Sequence, residues 1–283
     1  MTHLRLATRA SLQARTQTEV VARLLESTVP GCTTEIVFVD TSGDRRQDVP
    51  LHEIGGQGIF VKEVQVAVIE GRADLAVHSA KDLPSSQTGG LIIGAYGRRR
   101  DPRDVLIGRG LAELDEGATV ATGSVRRRAQ LAELRPDLRF AELRGNIQTR
   151  LTKVPDGGAI VMAAAALEVL GMTEQIAEAF APEVLVPQVG QGAVAVECRD
   201  DDAAALAALR AIDHDGTRAQ VAVERAFLAE IGSGCSLPVG AHVSGTTLLT
   251  YFARDGGSRR GSVDLGRGDP LALARLAAHD ALD

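Results

Sequence analysis

The sequence predicts an α/β protein built from three small units, and three observations carry that prediction. Short β-branched or apolar runs alternate with amphipathic helical stretches, a rhythm that implies a parallel or mixed sheet covered by helices. The rhythm breaks twice, at 97–104 (GRRRDPRD) and at 186–192 (VPQVGQG), as it does where a chain crosses between units. The chain has 283 residues, 45% hydrophobic and 24% charged, which is enough for more than one core and excludes a disordered, collagen-like or disulfide-stapled chain.

In order, residues 4–8 read as a strand and 12–26 as an amphipathic helix. Residues 35–40 (EIVFVD) form a β-branched strand, followed by a polar, glycine-rich stretch over 41–58. A helix over 60–70 and a buried-type strand over 73–78 complete the first set. The second set has a strand at 119–122, a helix at 124–134, strands at 139–143 and 159–162, and a helix at 163–170. The strand at 193–198 is placed to return to the first sheet. A third region opens with a helix over 217–231, continues through a glycine turn and a hairpin around Asp255-Gly256-Gly257, and closes with a helix over 270–282. The expected domains are 1–98 with 193–212, then 99–192, then 213–283.

Asp and Glu total 37 against 31 Lys and Arg, a net charge of −6, which argues against a nucleic-acid coat because that needs a basic face. Lys62, Lys81 and Lys153 are the only lysines, so positive charge is almost all Arg, and compositional bias accounts for most of it. The cysteines Cys32, Cys198 and Cys235 are odd in number and far apart, with no CxxC or Cys/His spacing; neither zinc nor a disulfide framework is indicated, and a reducing compartment is. The first residues carry no apolar signal core, and the longest uncharged apolar run, 157–167, falls short of the ~20 residues that span a bilayer. A cytoplasmic protein with no membrane and no nucleic-acid partner is expected.

Four segments carry chemistry, beside an internal echo between two strand-to-helix turns. At 78–84 (HSAKDLP), Lys81 and Asp82 follow a strand's carboxyl end, where α/β sheets place their sites; a solvated turn before a proline is the plainer reading. At 123–131 (GSVRRRAQL) several guanidinium groups leave one helix start, and at 143–151 (LRGNIQTRL) two more cluster, suited to bidentate binding of carboxylates. Residues 7–11 (ATRAS) and 121–124 (ATGS) each close a strand and open a helix. Such a hydroxyl is an N-cap as readily as a mark of an anion-binding helix start, and two of these starts facing one another would frame a cleft for a polyanion. At 232–240 (GSGCSLPVG), Cys235 lies in a glycine-flanked loop, whereas Cys32 and Cys198 fit small core residues.

Taken together, RLATRAS (5–11), GGQGIFVKE (55–63), AVHSAKDLP (76–84), DPRD (101–104), TGSVRRRAQL (122–131), LRGNIQTRL (143–151), VGQGAVAVECR (189–199), ERAF (224–227) and SGCSLPVG (233–240) resemble the porphobilinogen deaminase (hydroxymethylbilane synthase) family, collinearly over essentially the whole chain. The resemblance implies a transferase of tetrapyrrole and heme biosynthesis that joins four porphobilinogen molecules head to tail with loss of ammonia. It implies a dipyrromethane cofactor held as a thioether on Cys235, and no metal. It implies two lobes like those of type II periplasmic binding proteins around a cleft, with a small α+β C-terminal domain carrying the cysteine. Arg9, Ser11, Lys81, Asp82, Thr122, Ser124, Arg126, Arg127, Arg144 and Arg150 match its cofactor positions, Arg9, Ser11, Arg144 and Arg150 its substrate positions, and Asp82 its catalytic carboxylate, which bridges pyrrole N–H groups and stabilises the azafulvene cation. A polyanionic product explains arginine clusters inside an acidic protein.

Three positions depart from the family pattern: Gln57 where Lys is usual, Val169 where Arg is usual, and Ser233 where Gly is usual. The expected partners are porphobilinogen and polypyrrole intermediates, with a monomer handing its product to the next enzyme of the pathway. The competing expectation is a non-catalytic or diverged paralogue that binds an anionic ligand in the interdomain cleft, motivated by Gln57 and Val169.

Overall fold

The structure is a computed structural model that describes residues 2–41, 58, 60–232, 237–254 and 257–282. The described residues divide into two compact units, the first made by those up to 100 together with 193–219, the second by 101–192 together with those from 220 onward. Among the described residues there are two five-stranded sheets and one three-stranded sheet.

The first unit starts with β1 (Thr2–Arg9), whose Leu4, Leu6 and Ala7 are buried, and α1 (Leu12–Thr28). Ser11 caps that helix, its Oγ accepting from the Ala14 N–H at 3.3 Å, and Thr18, Val21, Ala22 and Leu25 repeat at helical spacing to give the buried stripe. β2 (Cys32–Val39) lies parallel to β1, α2 (Lys62–Ile69) buries Val64, Ala67 and Val68, and β3 (Leu75–Ser79) runs parallel to β1. β4 (Leu91–Tyr96) completes the segment. Later in the chain, β10 (Val194–Arg199) returns to this sheet between β3 and β4, antiparallel to both, as the sequence predicts. Because β1 and β3 are parallel, their carboxyl ends share one edge, which places Arg9 and the turn after Ser79 at the same rim.

The second unit is built the same way. β5 (Asp104–Gly108), β6 (Thr119–Ala121), α3 (Val125–Leu134), β7 (Arg139–Ala141), α4 (Ile147–Leu151), β8 (Ala159–Ala163), α5 (Ala164–Leu170) and β9 (Ile176–Ala179) give a sheet ordered β7-β6-β8-β5-β9. β6 is parallel to β7 and β8, while β5 is antiparallel to β8 with Asp104 opposite Ala163. The amino end of β5 therefore meets the carboxyl ends of β6 and β8. Ile107, Ile160, Met162 and Leu167 fill one face and Leu106, Leu131, Val161 and Leu185 the other.

α6 (Ala203–Arg210) packs Leu209 into the first core, directly over Gly94 of β4, where any Cβ would collide with it. α7 (Asp215–Ile231) leads into the antiparallel meander β11 (Val239–Ser244), β12 (Thr247–Arg254) and β13 (Gly257–Asp264), and α8 (Pro270–Leu282) closes the chain. Phe227, Leu248, Phe252, Ala274 and Ala278 form the separate core of this small C-terminal domain. The pairing of Arg254 with Gly257 fits the expected hairpin, whose tip lies outside the described residues. Among the described residues, no helix is long and apolar enough to cross a membrane.

Candidate active site

In the first unit, the carboxyl ends of β1 and β3 hold a small cavity of about 40 Å³ lined by Arg9, Ser11, Gln17, Phe60, His78 and Asp82, among others. Asp82 closes a short 3-10 turn, Ala80–Asp82, anchored where the Ala80 N–H donates to the Ala193 carbonyl at 2.9 Å. Arg9 stacks its guanidinium 4.1 Å from the centre of the Phe60 ring. Behind them, buried His78 sets Nε2 3.1 Å from Glu197 Oε2, an ion-pair distance without hydrogen-bond alignment; the same oxygen accepts from Gln65 Nε2 at 2.8 Å. Lys81 is half-buried beside Asp82 in the turn.

In the second unit the two arginines at the start of α3 are buried, with Arg126 3% and Arg127 7% exposed. Ser124 caps the helix, its Oγ accepting from the Arg127 N–H, and Thr122 Oγ1 accepts from the Ser124 N–H at 3.2 Å. Arg126 Nη1 donates to Asp104 Oδ2 at 2.6 Å, and Arg127 Nε donates to Asp104 Oδ1 at 2.8 Å. Gln191 Nε2 adds a bond to Oδ1 at 2.9 Å. Burial pushes the Asp104 carboxyl up, but the two guanidinium groups outweigh it and hold the carboxyl well below the usual range. Burial lowers the Arg127 pKa against the opposing pull of Asp104.

Arg126 has donors left over. Its Nε and Nη2 are buried and have no hydrogen-bond partner among the described residues. Those two N–H groups form one edge of a guanidinium, the fork that takes a carboxylate through two parallel bonds. An unsatisfied buried charged donor is costly, so this edge fits a carboxylate-bearing cofactor. The neighbouring loop lies close: a Cβ on Gly123 would stand 2.9 Å from the Leu143 carbonyl, which brings 122–124 against the segment leading to Arg144. Asn146 caps α4 by accepting from the Thr149 N–H, and Arg150 Nε donates to the Gly145 carbonyl at 2.8 Å.

Arg9, Ser11 and Asp82 thus share one cavity, with Lys81 in the same turn as Asp82. Thr122, Ser124, Arg126 and Arg127 share one helix start, with Arg144 and Arg150 on the loop and helix that follow β7. Cys235, Ser233 and Gln57 lie outside the described residues. Cys32 and Cys198 are buried, and burial drives the Cys198 thiol up to about 11, which leaves it unreactive. The sequence did not single out Asp104, Gln130 or Gln191 as site residues, nor Gln17, Phe60 or His78 in the cavity. The one signal for Asp104 was its place in DPRD at the head of a strand.

These two sets of groups define an α/β protein equipped to hold carboxylate-bearing ligands, with an acidic side chain of its own in the cavity. The family model described as porphobilinogen deaminase, dipyromethane cofactor binding domain, matches residues 4–207. Porphobilinogen deaminase of Roseiflexus sp. (strain RS-1) is 46% identical, covering 98% of this chain and 95% of its own length. That of Acidothermus cellulolyticus is 51% identical over 84% of this chain and 74% of its own. The methionine binding protein MetQ superposes on 79% of this chain and 94% of its own with a TM-score of 0.48 and 12% identity. The chain belongs to the porphobilinogen deaminase family. It is a transferase of tetrapyrrole biosynthesis, a hydroxymethylbilane synthase working with dipyrromethane.

Proposed function

We propose that the reaction is run by Asp82 in the first unit, with the cofactor's carboxylates held by arginines of the second and its thioether on Cys235. The buried edge of Arg126 carries this reading, because it asks for a planar two-oxygen acceptor and nothing among the described residues supplies one. Bound dipyrromethane supplies the pyrrole carbon to which the first porphobilinogen is joined. Arg127 and Asp104 hold Arg126 in place, so its free edge is organised before any ligand arrives. Arg144 and Arg150, with Thr122, Ser124 and Lys81, complete the carboxylate contacts.

Arg9 and Ser11 receive the substrate's carboxylates in the cavity that Asp82 lines. Asp82 accepts hydrogen bonds from pyrrole N–H groups, and its negative charge is worth more as ammonia departs and cation character develops on the substrate. The chain acts as a cytoplasmic monomer of three domains, 1–98 with 193–212, 99–192 and 213–283. It takes porphobilinogen and polypyrrole intermediates and passes its product to the next enzyme. The separate cores of the two large sheets and of the C-terminal meander support that division.

Intact-protein mass tests the central assignment. Wild-type protein from cells able to make porphobilinogen is expected to carry the added mass of a dipyrromethane, as are Cys32→Ser and Cys198→Ser, while Cys235→Ser carries none. Unmodified wild type, or a loaded Cys235→Ser, overturns it.

A further inference from the structure

The carbonyl of Val186 is the meeting point of three elements in the second unit. Arg126 Nη1 donates to it at 2.7 Å, and Gln130, one turn along α3 and fully buried, donates to it through Nε2 at 3.1 Å. Gln130 Oε1 also accepts from the Val186 N–H at 2.8 Å, so one side-chain amide grips both polar groups of the same residue. Gly240 of β11, the strand that follows the cysteine-bearing segment, also lies against the Val186 carbonyl. A Cβ at that position would stand 2.8 Å from the Val186 carbonyl oxygen and 3.0 Å from that of Pro187. Gly240 is therefore required for space, since its backbone is of the ordinary kind. Gly240 also pairs with Tyr251, whose hydroxyl donates to Glu133 Oε1 on α3 at 2.5 Å.

This arrangement matters for the free edge of Arg126. A guanidinium is rigid and planar, so fixing Nη1 on two acceptors fixes the direction of Nε and Nη2. One of those acceptors is Asp104. The other is a backbone oxygen whose position depends on Gln130 holding it and Gly240 leaving room for it.

We propose that Gln130 and Gly240 are positioning residues for cofactor loading: through the Val186 peptide they aim the carboxylate-binding edge of Arg126. The proposal rests on the assignment of that edge to a cofactor carboxylate. Loading forms the bond between Cys235 Sγ and the aminomethyl carbon of porphobilinogen and breaks that carbon's bond to nitrogen. The thiol proton leaves with the amine as ammonia.

The experiment follows the loaded fraction of full-length apo-protein over time by intact mass, with porphobilinogen as the probe, normalised to folded protein by circular dichroism. Four proteins are compared: wild type, Arg126→Leu, Gln130→Leu and Gly240→Ala. Displacing one charge-assisted contact is expected to slow loading about tenfold in Gln130→Leu and in Gly240→Ala. A second readout is the gain in thermal midpoint on loading, expected to shrink in both variants relative to wild type. A purely architectural role would lower the midpoint of apo and loaded forms equally and leave the loading rate unchanged. Should either variant fail to fold, the other decides. Slow loading in Arg126→Leu with wild-type loading in the folded variants overturns the positioning role and leaves the Arg126 assignment standing. Wild-type loading in Arg126→Leu removes that assignment and the proposal with it.

Discussion

Arg9 and Arg126 each lie two residues from the serine that caps a helix after a strand, one before it and one after it, yet the fold gives them opposite surroundings. Arg9 is half-buried, stacks on Phe60 and borders a cavity. Arg126 is 3% exposed and fixed by Asp104 and the Val186 carbonyl. The difference suits two tasks. A group that must meet a succession of incoming molecules works best where water and side chains can rearrange, whereas one that holds a permanent ligand gains from being set in advance. The neighbourhood of a guanidinium, more than its motif, separates the two proposed roles.

The contrast is broken most sharply at the carboxylates. Asp82→Asn keeps the shape of the cavity and removes the charge, so turnover of loaded protein should fall about 10²–10⁴-fold while unfolding midpoints stay near wild type. Product formation from porphobilinogen, normalised to loaded protein, measures it; a variant within a few-fold of wild type removes the role given to Asp82.

Asp104→Asn should do the reverse and act on stability, because it leaves two buried guanidinium groups uncompensated, at a cost of about 3–5 kcal/mol. Denaturant titration reads this directly. The sign of its pH dependence follows from the lowered carboxyl pKa in the fold. The stabilisation is fully present above the unfolded value of ~3.9 and is lost as pH falls through the lower folded value. The gap between wild type and Asp104→Asn should therefore be constant from about pH 5 upward and narrow in stronger acid. A gap that widens on acidification would contradict the ion-pair account.

The smallest effect is expected at Phe60. Phe60→Leu removes a partly exposed cation–π contact of about 0.5–1 kcal/mol, so the substrate KM should rise about two- to fivefold with kcat little changed. An equal loss in kcat would place the ring in the chemical step.

How much of this was legible beforehand differs along the chain. The helix over 270–282 matches Pro270–Leu282, and the strand at 193–198 joins the first sheet, because an apolar stripe and a short β-branched run are local signals. Leu91–Tyr96 went unassigned although it is apolar: Gly94 weakens its strand character, and the reason for that glycine is Leu209, more than a hundred residues away. Ile176–Ala179 and Ile147–Leu151 are too short to show a period. In the site, the arginines stood out by type and clustering. Asp104 and Gln130 did not, since their importance comes from what the fold brings to them: two guanidinium groups in one case, a single peptide in the other.

One feature of the first sheet bears on how the protein is made. β3 and β4 are not bonded to each other; β10 lies between them and also abuts the turn that carries Asp82. As the chain leaves the ribosome, the facing edges of β3 and β4 stay open until Val194–Arg199 emerges, an interval on the order of 5–20 s at ordinary synthesis rates. During that time two unpaired, largely apolar edges are exposed, the condition under which strands pair with the wrong neighbour. The sheet that presents the acidic side chain is thus finished late in synthesis. Chaperone demand in the cell should concentrate on nascent chains that have passed Tyr96 and have not yet reached Arg199.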